Sequence, residues 1–240
     1  MITAKDIKRK TMSPEKVKES RNDIFAFYIG RPISYLLTIP FLYLGLKPNM
    51  ISLLSLIPSI VGFVLLSFGT SNWIKIIGVL CFILWNFMDG IDGNVARYTN
   101  QTSKLGILWD ATSGYFALIL MHFSVGIAVY NTPLQFIEIP FIPTYMYIVL
   151  AGLTALSCLL SRLVMHKKML LFSAEAGSSL NNKGNYSLYK IIALNITSPS
   201  GFMQVIMLLA IAGYLGNIFV LLYFLLHMLI LVASLTQLLK

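Results

Sequence analysis

The segment Asp89-Gly90-Ile91-Asp92-Gly93-Asn94-Val95-Ala96-Arg97 ends one long apolar stretch, and Gly106-Ile107-Leu108-Trp109-Asp110-Ala111-Thr112-Ser113-Gly114 begins the next. Together the two segments place three carboxylates in or beside hydrophobic helices. An ionisable group in such a position is costly unless it is paired or coordinated. The sequence therefore predicts a cation among Asp89, Asp92 and Asp110.

The composition of the chain predicts an all-α integral membrane protein. Of 240 residues, 57% are hydrophobic and only 11% are charged, with a mean hydropathy of +0.78. The apolar residues form runs of about twenty, the length that crosses a bilayer. Stretches such as 61–68 and 220–235 have no polar face, which excludes a soluble helical bundle.

Six membrane-spanning helices are predicted behind an N-terminal segment. They cover about 50–68, 73–98, 104–129, 144–165, 201–215 and 216–239. Residues 33–46 form a run that is too short to span and contains Pro40, so we expect an interfacial helix there. We accordingly divide the chain into a cytoplasmic and interfacial segment, 1–47, and a six-helix membrane catalytic domain, 48–240.

The polar segments between these helices are interpreted as surface structure. Residues 1–30 are basic, and Ser13-Pro14 predicts the start of a partly amphipathic helix, with a disordered basic tail as the alternative. Residues 162–200, with the Gly- and Asn-rich stretches 177–179 and 181–185, are predicted to form a cytoplasmic loop that has helical turns near 186–194.

The basic residues predict which side of the membrane the carboxylates face. Eight of the 18 Lys and Arg residues lie before residue 32, and a six-span layout with the N-terminus inside puts 17 of the 18 on one side. Lys75 is the exception. Cytoplasmic loops are enriched in Lys and Arg, so the N-terminus and the carboxylates are expected to face the cytoplasm. The net charge of +9 thus indicates topology rather than nucleic-acid binding.

The spacing of the candidate ligands brings them onto two helix faces. Asp89 and Asp92 are three residues apart and share a face. Gly106, Asp110 and Gly114 are spaced by four and share a face of the next helix. Two adjacent antiparallel helices can therefore collect three carboxylates, with glycines allowing close backbone approach.

Oxygen ligands of this kind favour a hard divalent cation. Mg2+ and Mn2+ bind through a few carboxylates, water and substrate phosphates, whereas zinc is disfavoured because no His or Cys joins the group. Arg97, Lys104 and Arg162 are basic residues suited to a diphosphate. The alternatives are that the aspartates cap helices or pair with Arg97 and Lys104, and that the arginines only anchor helices at the interface.

The pattern Asp89-x2-Asp92-Gly93-x2-Ala96-Arg97-x8-Gly106-x3-Asp110-x3-Gly114 resembles the signature of the CDP-alcohol phosphotransferases (CDP-alcohol phosphatidyltransferases), D-x2-D-G-x2-A-R-x8-G-x3-D-x3-D. Seven of the eight fixed positions match over 26 residues. The Pro48-Asn49 entry to the first span and the six-span layout are also similar to that family.

This resemblance implies an enzyme that moves a substituted phosphate group from a CDP-linked donor to an alcohol and releases CMP. It implies a lipid as donor or acceptor, in phospholipid or related glycolipid or surface-polymer synthesis, and a homodimer among membrane lipids. It also implies residue roles. Asp89, Asp92 and Asp110 would be ligands of two Mg2+ or Mn2+ sites. Gly93, Ala96 and Gly106 would make room for the nucleotide, and Arg97 would support the carboxylates or CDP.

Gly114 departs from the family pattern. The family has a fourth aspartate there, which helps to hold the second metal and is the proposed general base. Three explanations are open: another group or a water serves as base, the chain is a binding-competent but inactive relative, or the glycine is an engineered substitution. Tyr115 and His122 are the nearest titratable neighbours, and packing is the simpler interpretation of both.

Two further functions remain as alternatives. A catalytically impaired family member would bind the nucleotide or act as a scaffold in lipid synthesis. A small transporter or channel would use the aspartates as an ion path. The chain has no P-loop, no Rossmann glycine pattern and no basic stripe with interleaved aromatic residues, so nucleic acid is not an expected partner.

Overall fold

The computed structural model describes residues 2–132, 137–176, 186–236 and 238, and within these ranges it contains helices but no strand. The predicted all-α membrane class is confirmed. Ten α-helices occur in the described ranges: α1 Ala4–Thr11, α2 Pro14–Ser20, α3 Arg31–Tyr43, α4 Pro48–Phe68, α5 Asn72–Tyr98, α6 Lys104–Asn131, α7 Thr144–Ala176, α8 Leu188–Thr197, α9 Met203–Ala212 and α10 Gly216–Thr236. A π-helical turn, Ala26–Gly30, precedes α3.

Local sequence accounts for the helix boundaries near the site. The hydroxyl of Ser13 accepts a hydrogen bond from the Lys16 amide at 3.2 Å, which confirms the predicted start of α2. Gly45, with φ +64°, follows α3, and Pro48 begins α4. Between α5 and α6, Asn100 has φ 56°, and the hydroxyl of Ser103 accepts from the Gly106 amide at 2.9 Å. The chain therefore reverses within a few residues and returns α6 beside α5.

Five helices in the described ranges have the length and apolar composition needed to cross a membrane. They are α4, α5, α6, α10 and the part of α7 from Thr144–Lys168. The fifth predicted span corresponds to α9, which has only ten residues and begins at Met203 rather than at 201. The exposed side chains of α4 are apolar, including Leu53 and Ile57, while Ser52, Ser55 and Ser59 are buried. This inside-out distribution suits a helix surrounded by lipid.

One boundary prediction was wrong. The loop expected from residue 162 begins later, because α7 continues to Ala176. Residues 162–176 contain Leu, Met, Lys, Ala and Glu but no Gly or Pro, and these are strong helix formers. The stretches 177–179 and 181–185 lie outside the described residues, whereas α8 replaces the expected helical turns near 186–194.

The chain divides into two compact units. The first unit comprises Met1–Ile60, Cys81–Ala117 and Lys183–Gln204. Its apolar core joins α3, α4 and α5 through Ile51, Ile91 and Val95. A polar layer ties α8 to the N-terminal segment, since the Asn195 side chain accepts from the Ile24 amide at 2.8 Å and donates to the Asn22 carbonyl at 2.7 Å.

The second unit comprises Val61–Leu80, Leu118–Asn182 and Val205–Lys240. Within it, α6 and α7 approach so closely that a Cβ added at Gly126 would lie 2.5 Å from the Cβ of Ala151. Such close approach through small residues is typical of helix packing in membranes. The same unit buries Tyr147, Tyr223 and three potential metal-ligating side chains.

Candidate active site

A cavity of about 410 Å³ lies within the first unit and contains the three predicted carboxylates. This volume is within the range of small-molecule sites. We call it the carboxylate cavity; its acidic and basic lining residues are Asp23, Asp89, Asp92, Asp110, Lys16, Arg31 and Arg97. The helix reversal between α5 and α6 thus brings together the two halves of the sequence motif.

Asp92 is the most buried of the three carboxylates. It is 4% exposed, and the hydroxyl of Ser52 on α4 donates a short hydrogen bond to its Oδ2. Asp110, on α6, is exposed to the cavity and lies near enough to act electrostatically on Asp92. Two neighbouring carboxylates repel each other when both are negatively charged, unless a cation lies between or beside them.

Arg97 supplies part of the positive charge in the cavity and is held by a relay of hydrogen bonds. Its Nη2 donates to the Asn94 Oδ1 at 3.3 Å, and the Asn94 Nδ2 in turn donates to Ser34 at 3.1 Å and Thr38 at 3.2 Å. The guanidinium acts electrostatically on both Asp92 and Asp110. Its buried Nε–H has no acceptor among the residues that the structure describes, which suits an anionic ligand.

Two glycines allow side chains to approach the helix backbone. A Cβ added at Gly93 would stand 3.0 Å from the Nη2 of Arg97, so the guanidinium lies directly over this residue. A Cβ at Gly106 would stand 3.2 Å from the Oδ1 of Asn49 and 3.1 Å from the Oγ of Ser103. Both glycines, together with Ala96, line the cavity.

The N-terminal segment contributes two further cations. Lys16 of α2 and Arg31 of α3 line the cavity. Burial lowers the pKa of Lys16 to about 8, and the positive charges of Arg97 and Arg31 act in the same direction, opposed by Glu19. Lys16 is thus a cation that can lose its proton slightly above neutral pH.

Position 114 is open. Within the described ranges, a Cβ added at Gly114 would meet no atom closer than 4 Å, so there is room for a side-chain carbon. The neighbouring Ser113 is buried, lies 3.1 Å from the Ser55 hydroxyl and accepts from the Trp85 indole at 3.2 Å. Thr112 donates to the carbonyl of Leu108 at 2.7 Å. Both hydroxyls are therefore engaged within the helices.

Three of the predicted site residues are placed outside the carboxylate cavity. Gly114 and Lys104 are not among its described lining residues, and Lys104 is exposed at the start of α6. Arg162 belongs to the second unit, where it follows Cys158 by one helical turn. The phosphate contacts considered for Lys104 and Arg162 therefore have no counterpart in the lining of this cavity.

Sequence reasoning missed several residues of the cavity, namely Lys16, Asp23, Arg31, Ser34, Asn49, Ser52 and Asn94. A usable signal existed on α4, where polar residues recur at 49, 52 and 55 on an otherwise apolar helix. No such signal marked Lys16, because it is one of many lysines in a basic segment. Its role depends on how the N-terminal helices fold back.

Comparison with known families agrees with this geometry. A family model described as CDP-alcohol phosphatidyltransferase matches residues 46–233. The chain belongs to this family. Comparison with curated proteins found no match.

Membership in the CDP-alcohol phosphatidyltransferase family indicates the general type of reaction. Its members are transferases that act on CDP-alcohols in a membrane lipid setting and generally depend on a divalent metal. The matched region contains all three carboxylates but begins after Lys16 and Arg31. The two N-terminal cations of the cavity are therefore features of this chain beyond the matched region.

The donor set of the cavity fits a hard divalent metal. The potential ligands are carboxylate oxygens, together with the amide oxygen of Asn49, and no imidazole or thiol lines the described cavity. Mg2+ and Mn2+ prefer this set and retain places for water and phosphate oxygens. Asp89, Asp92 and Asp110 are the residues that would hold such an ion.

Proposed function

We propose that this chain is a CDP-alcohol phosphotransferase that uses the carboxylate cavity as its active site. The observation that carries the proposal is the meeting of Asp89, Asp92 and Asp110 with Arg97 in one cavity. The donor is a CDP-linked alcohol, the acceptor is a second alcohol, and one of the two is a lipid. The products are CMP and a phosphodiester of phospholipid, glycolipid or surface-polymer synthesis.

The reaction is a displacement at phosphorus. The acceptor oxygen forms a bond to the phosphorus that carries the donor alcohol, and the bond from this phosphorus to the bridging oxygen breaks, so CMP leaves with the electron pair. The hydroxyl proton is released. A divalent metal bound at the carboxylates would neutralise charge that develops on the diphosphate.

The residues of the chain orient the donor. Arg97, whose Nε–H has no acceptor among the described residues, donates to a phosphate oxygen, while Asn94 and Ser34 keep the guanidinium in place. Lys16 and Arg31 add positive charge at the same cavity. The Ser52 hydroxyl fixes one oxygen of Asp92 and so orients the carboxylate. Such preorganised charge is the main source of catalysis in phosphoryl transfer.

The proton needs an acceptor, and Gly114 provides none. We propose that water takes the proton in this chain, at a cost in rate. General-base catalysis contributes about 10² to 10⁴-fold, so turnover is expected to be slow. The same observation favours a second candidate function, a catalytically impaired member that binds the CDP-linked donor or acts as a scaffold.

The experiment that separates these functions follows CMP release by the purified chain and by Gly114→Asp. A Cβ at 114 would meet no atom of the described residues within 4 Å, so the first carbon of the aspartate side chain has room. We expect slow release from the parent and an increase of about 10² to 10⁴-fold in the variant. Gly114→Asn is the matched control, since it adds the same volume without a base.

The outcomes of these assays distinguish an active transferase from an impaired family member and from a transporter. Release from Gly114→Asp alone would identify the parent as an impaired member. Equal release from both would show that another group is the base. Absence of donor binding by both, tested as thermal protection by CDP-alcohols with Mg2+ or Mn2+, would contradict the proposal as a whole. Ion flux in liposomes that CDP-linked ligands do not affect would instead support a transporter.

Orientation and assembly belong to the same proposal. We infer a cytoplasm-facing site and N-terminus from the distribution of Lys and Arg, with α1 to α3 at the cytoplasmic interface. A homodimer is expected from the family alone. Labelling of single cysteines introduced in α1 and in the loop after α9, from either side of sealed vesicles, tests the orientation.

A further inference from the structure

A second group of potential ligands lies in the second unit and shares no residue with the described lining of the carboxylate cavity. His122 of α6, Cys158 of α7 and His227 of α10 each offer one ligand atom, and these atoms all lie within 4.8 Å of one another. We call this group the His–Cys cluster. The three side chains are 2%, 3% and 3% exposed. Three helices thus bring a thiol and two imidazoles together in one buried site.

The imidazoles of this cluster lack the hydrogen bonds that buried polar groups normally make. The Nε2 of His122 and both ring nitrogens of His227 have no partner among the residues that the structure describes. Buried polar atoms without a partner are rare and indicate a missing ion or water. A neutral imidazole has one lone pair for a metal, so a bound ion would satisfy an orphan nitrogen on each ring.

The dimensions of the cluster suit one small ion. Metal–nitrogen bonds of about 2.0 Å and metal–sulfur bonds of about 2.3 Å place ligand atoms about 3.5 to 3.8 Å apart. The observed limit of 4.8 Å is wider by about 1 Å, so binding requires the ligand side chains to move inward by a small amount. The rings of Phe219 and Tyr223, whose centroids are 4.2 Å apart, stack beside the histidines and make the surroundings apolar.

The charges around the cluster favour a monovalent ion. One thiolate and two neutral imidazoles carry a single negative charge, which Cu+ would neutralise and Zn2+ would exceed. Arg162 follows Cys158 by four residues on α7 and acts electrostatically on the thiol and both imidazoles. An excess positive charge beside this guanidinium in an apolar site is costly. Two His and one Cys are also a ligand set that copper accepts.

We propose that His122, Cys158 and His227 bind a single copper ion in its monovalent state. Binding replaces the S–H bond of Cys158 by a bond from sulfur to copper and releases the proton to solvent. No electron transfer is involved. The ion links α6, α7 and α10, and its role is to stabilise the second unit. This inference is independent of the proposed transferase activity.

The test is a titration of the purified full chain with Cu+ under anaerobic conditions, against a competing copper chelator. We expect one ion per chain, tighter than Zn2+, and a higher melting temperature after loading. Cys158→Ser and His227→Gln should lose this ion. The chain has two Cys and three His residues, so Cys81→Ser and His166→Gln are matched controls outside the cluster and should retain it.

A second measurement covers variants that fail to fold. X-ray absorption at the copper edge of the loaded parent is expected to show one sulfur and two nitrogen neighbours. The proposal is overturned if the parent has no saturable copper site, if Cys158→Ser retains it, if Zn2+ binds more tightly, or if the spectrum shows no sulfur. Because the titration uses no CDP-alcohol, its failure is distinct from failure of the transferase assay.

Discussion

The carboxylate cavity and the His–Cys cluster differ in their ligand atoms and in their accessibility. Each places groups that can carry charge among apolar helices, where they need a partner. The cavity offers oxygen ligands, remains open and is lined by Lys16, Arg31 and Arg97. The cluster offers nitrogen and sulfur and is closed. An open oxygen site exchanges metal-bound substrates, whereas a closed site of soft ligands retains one ion.

The two sites also differ in how the chain builds them. Asp89, Asp92 and Asp110 lie within 22 residues and are brought together by one helix reversal. The His–Cys cluster draws on helices that are far apart in sequence, α6, α7 and α10. The first arrangement can be read from spacing along the chain. The second exists only after the helices of its unit have packed.

The largest expected difference between the two sites is produced by Asp92→Asn. The amide keeps the shape of the side chain but removes the charge that would hold the metal, so CMP release should fall by about 10³-fold. Metal-dependent protection by CDP-linked donors should fall with it. Copper binding by the His–Cys cluster should be unchanged, because its ligand atoms are nitrogen and sulfur.

The control for this substitution is Asp6→Asn. Asp6 accepts hydrogen bonds from Thr3 in the exposed capping box at the start of α1, and it is not among the lining residues of the cavity. It is expected to leave CMP release unchanged. A fall in release with Asp6→Asn as large as that with Asp92→Asn would mean that the loss reflects general damage rather than the site.

A smaller effect is expected from Gly93→Ala. The added Cβ would stand 3.0 Å from the Nη2 of Arg97, so the guanidinium must move and its contact with a donor phosphate weakens. Loss of one charge-assisted hydrogen bond corresponds to about a tenfold weaker donor affinity. Isothermal titration with a CDP-alcohol and Mg2+ measures it.

Gly152→Ala is the matched control for this change. It also replaces a helical glycine, but the new Cβ would be in ordinary van der Waals contact with the ring of Phe123, at 3.8 Å. Donor affinity should remain that of the parent, with a gain of about 0.5–1 kcal/mol in stability from helix propensity. Equal donor affinities for Gly93→Ala and the parent would remove Arg97 from the donor site.

Features that depend on local sequence signals were predictable, whereas those that depend on tertiary packing were not. The span boundaries near the motif, at 73–98 and 104–129, agree with α5 and α6 to within a few residues, because turn residues and apolar runs are local signals. The metal ligands stay a prediction, but their meeting in one cavity followed from spacing by three and four. Where α7 ends was not predicted, since its polar C-terminal part suggested a loop.

Residues that depend on tertiary packing were missed. Ser52 reaches Asp92 across 40 positions, and Lys16 joins the cavity only because the N-terminal helices fold back. His122 was interpreted as an ordinary packing residue, and neither His122 nor Cys158 alone indicates a metal site. Only the approach of His227 from α10 makes a ligand set of them.

The smallest expected effect concerns Lys16 and is seen as a dependence on pH. Its pKa is lowered to about 8, so it carries a positive charge at neutral pH and loses it as pH rises through 8. Donor affinity should therefore be greater below pH 8 and fall above it, by about two- to fivefold for a partly exposed charge. Titrations with Mg2+ and a CDP-alcohol from about pH 6.5 to about pH 9.5, on both sides of the Lys16 pKa, would show the fall in donor affinity.

Two variants of Lys16 are the controls. Lys16→Arg keeps its charge and should abolish the pH dependence, whereas Lys16→Gln should bind the donor weakly throughout. A pH profile that is the same in all three proteins would place Lys16 outside the donor site and leave the carboxylate cavity with Arg31 and Arg97 as its cations.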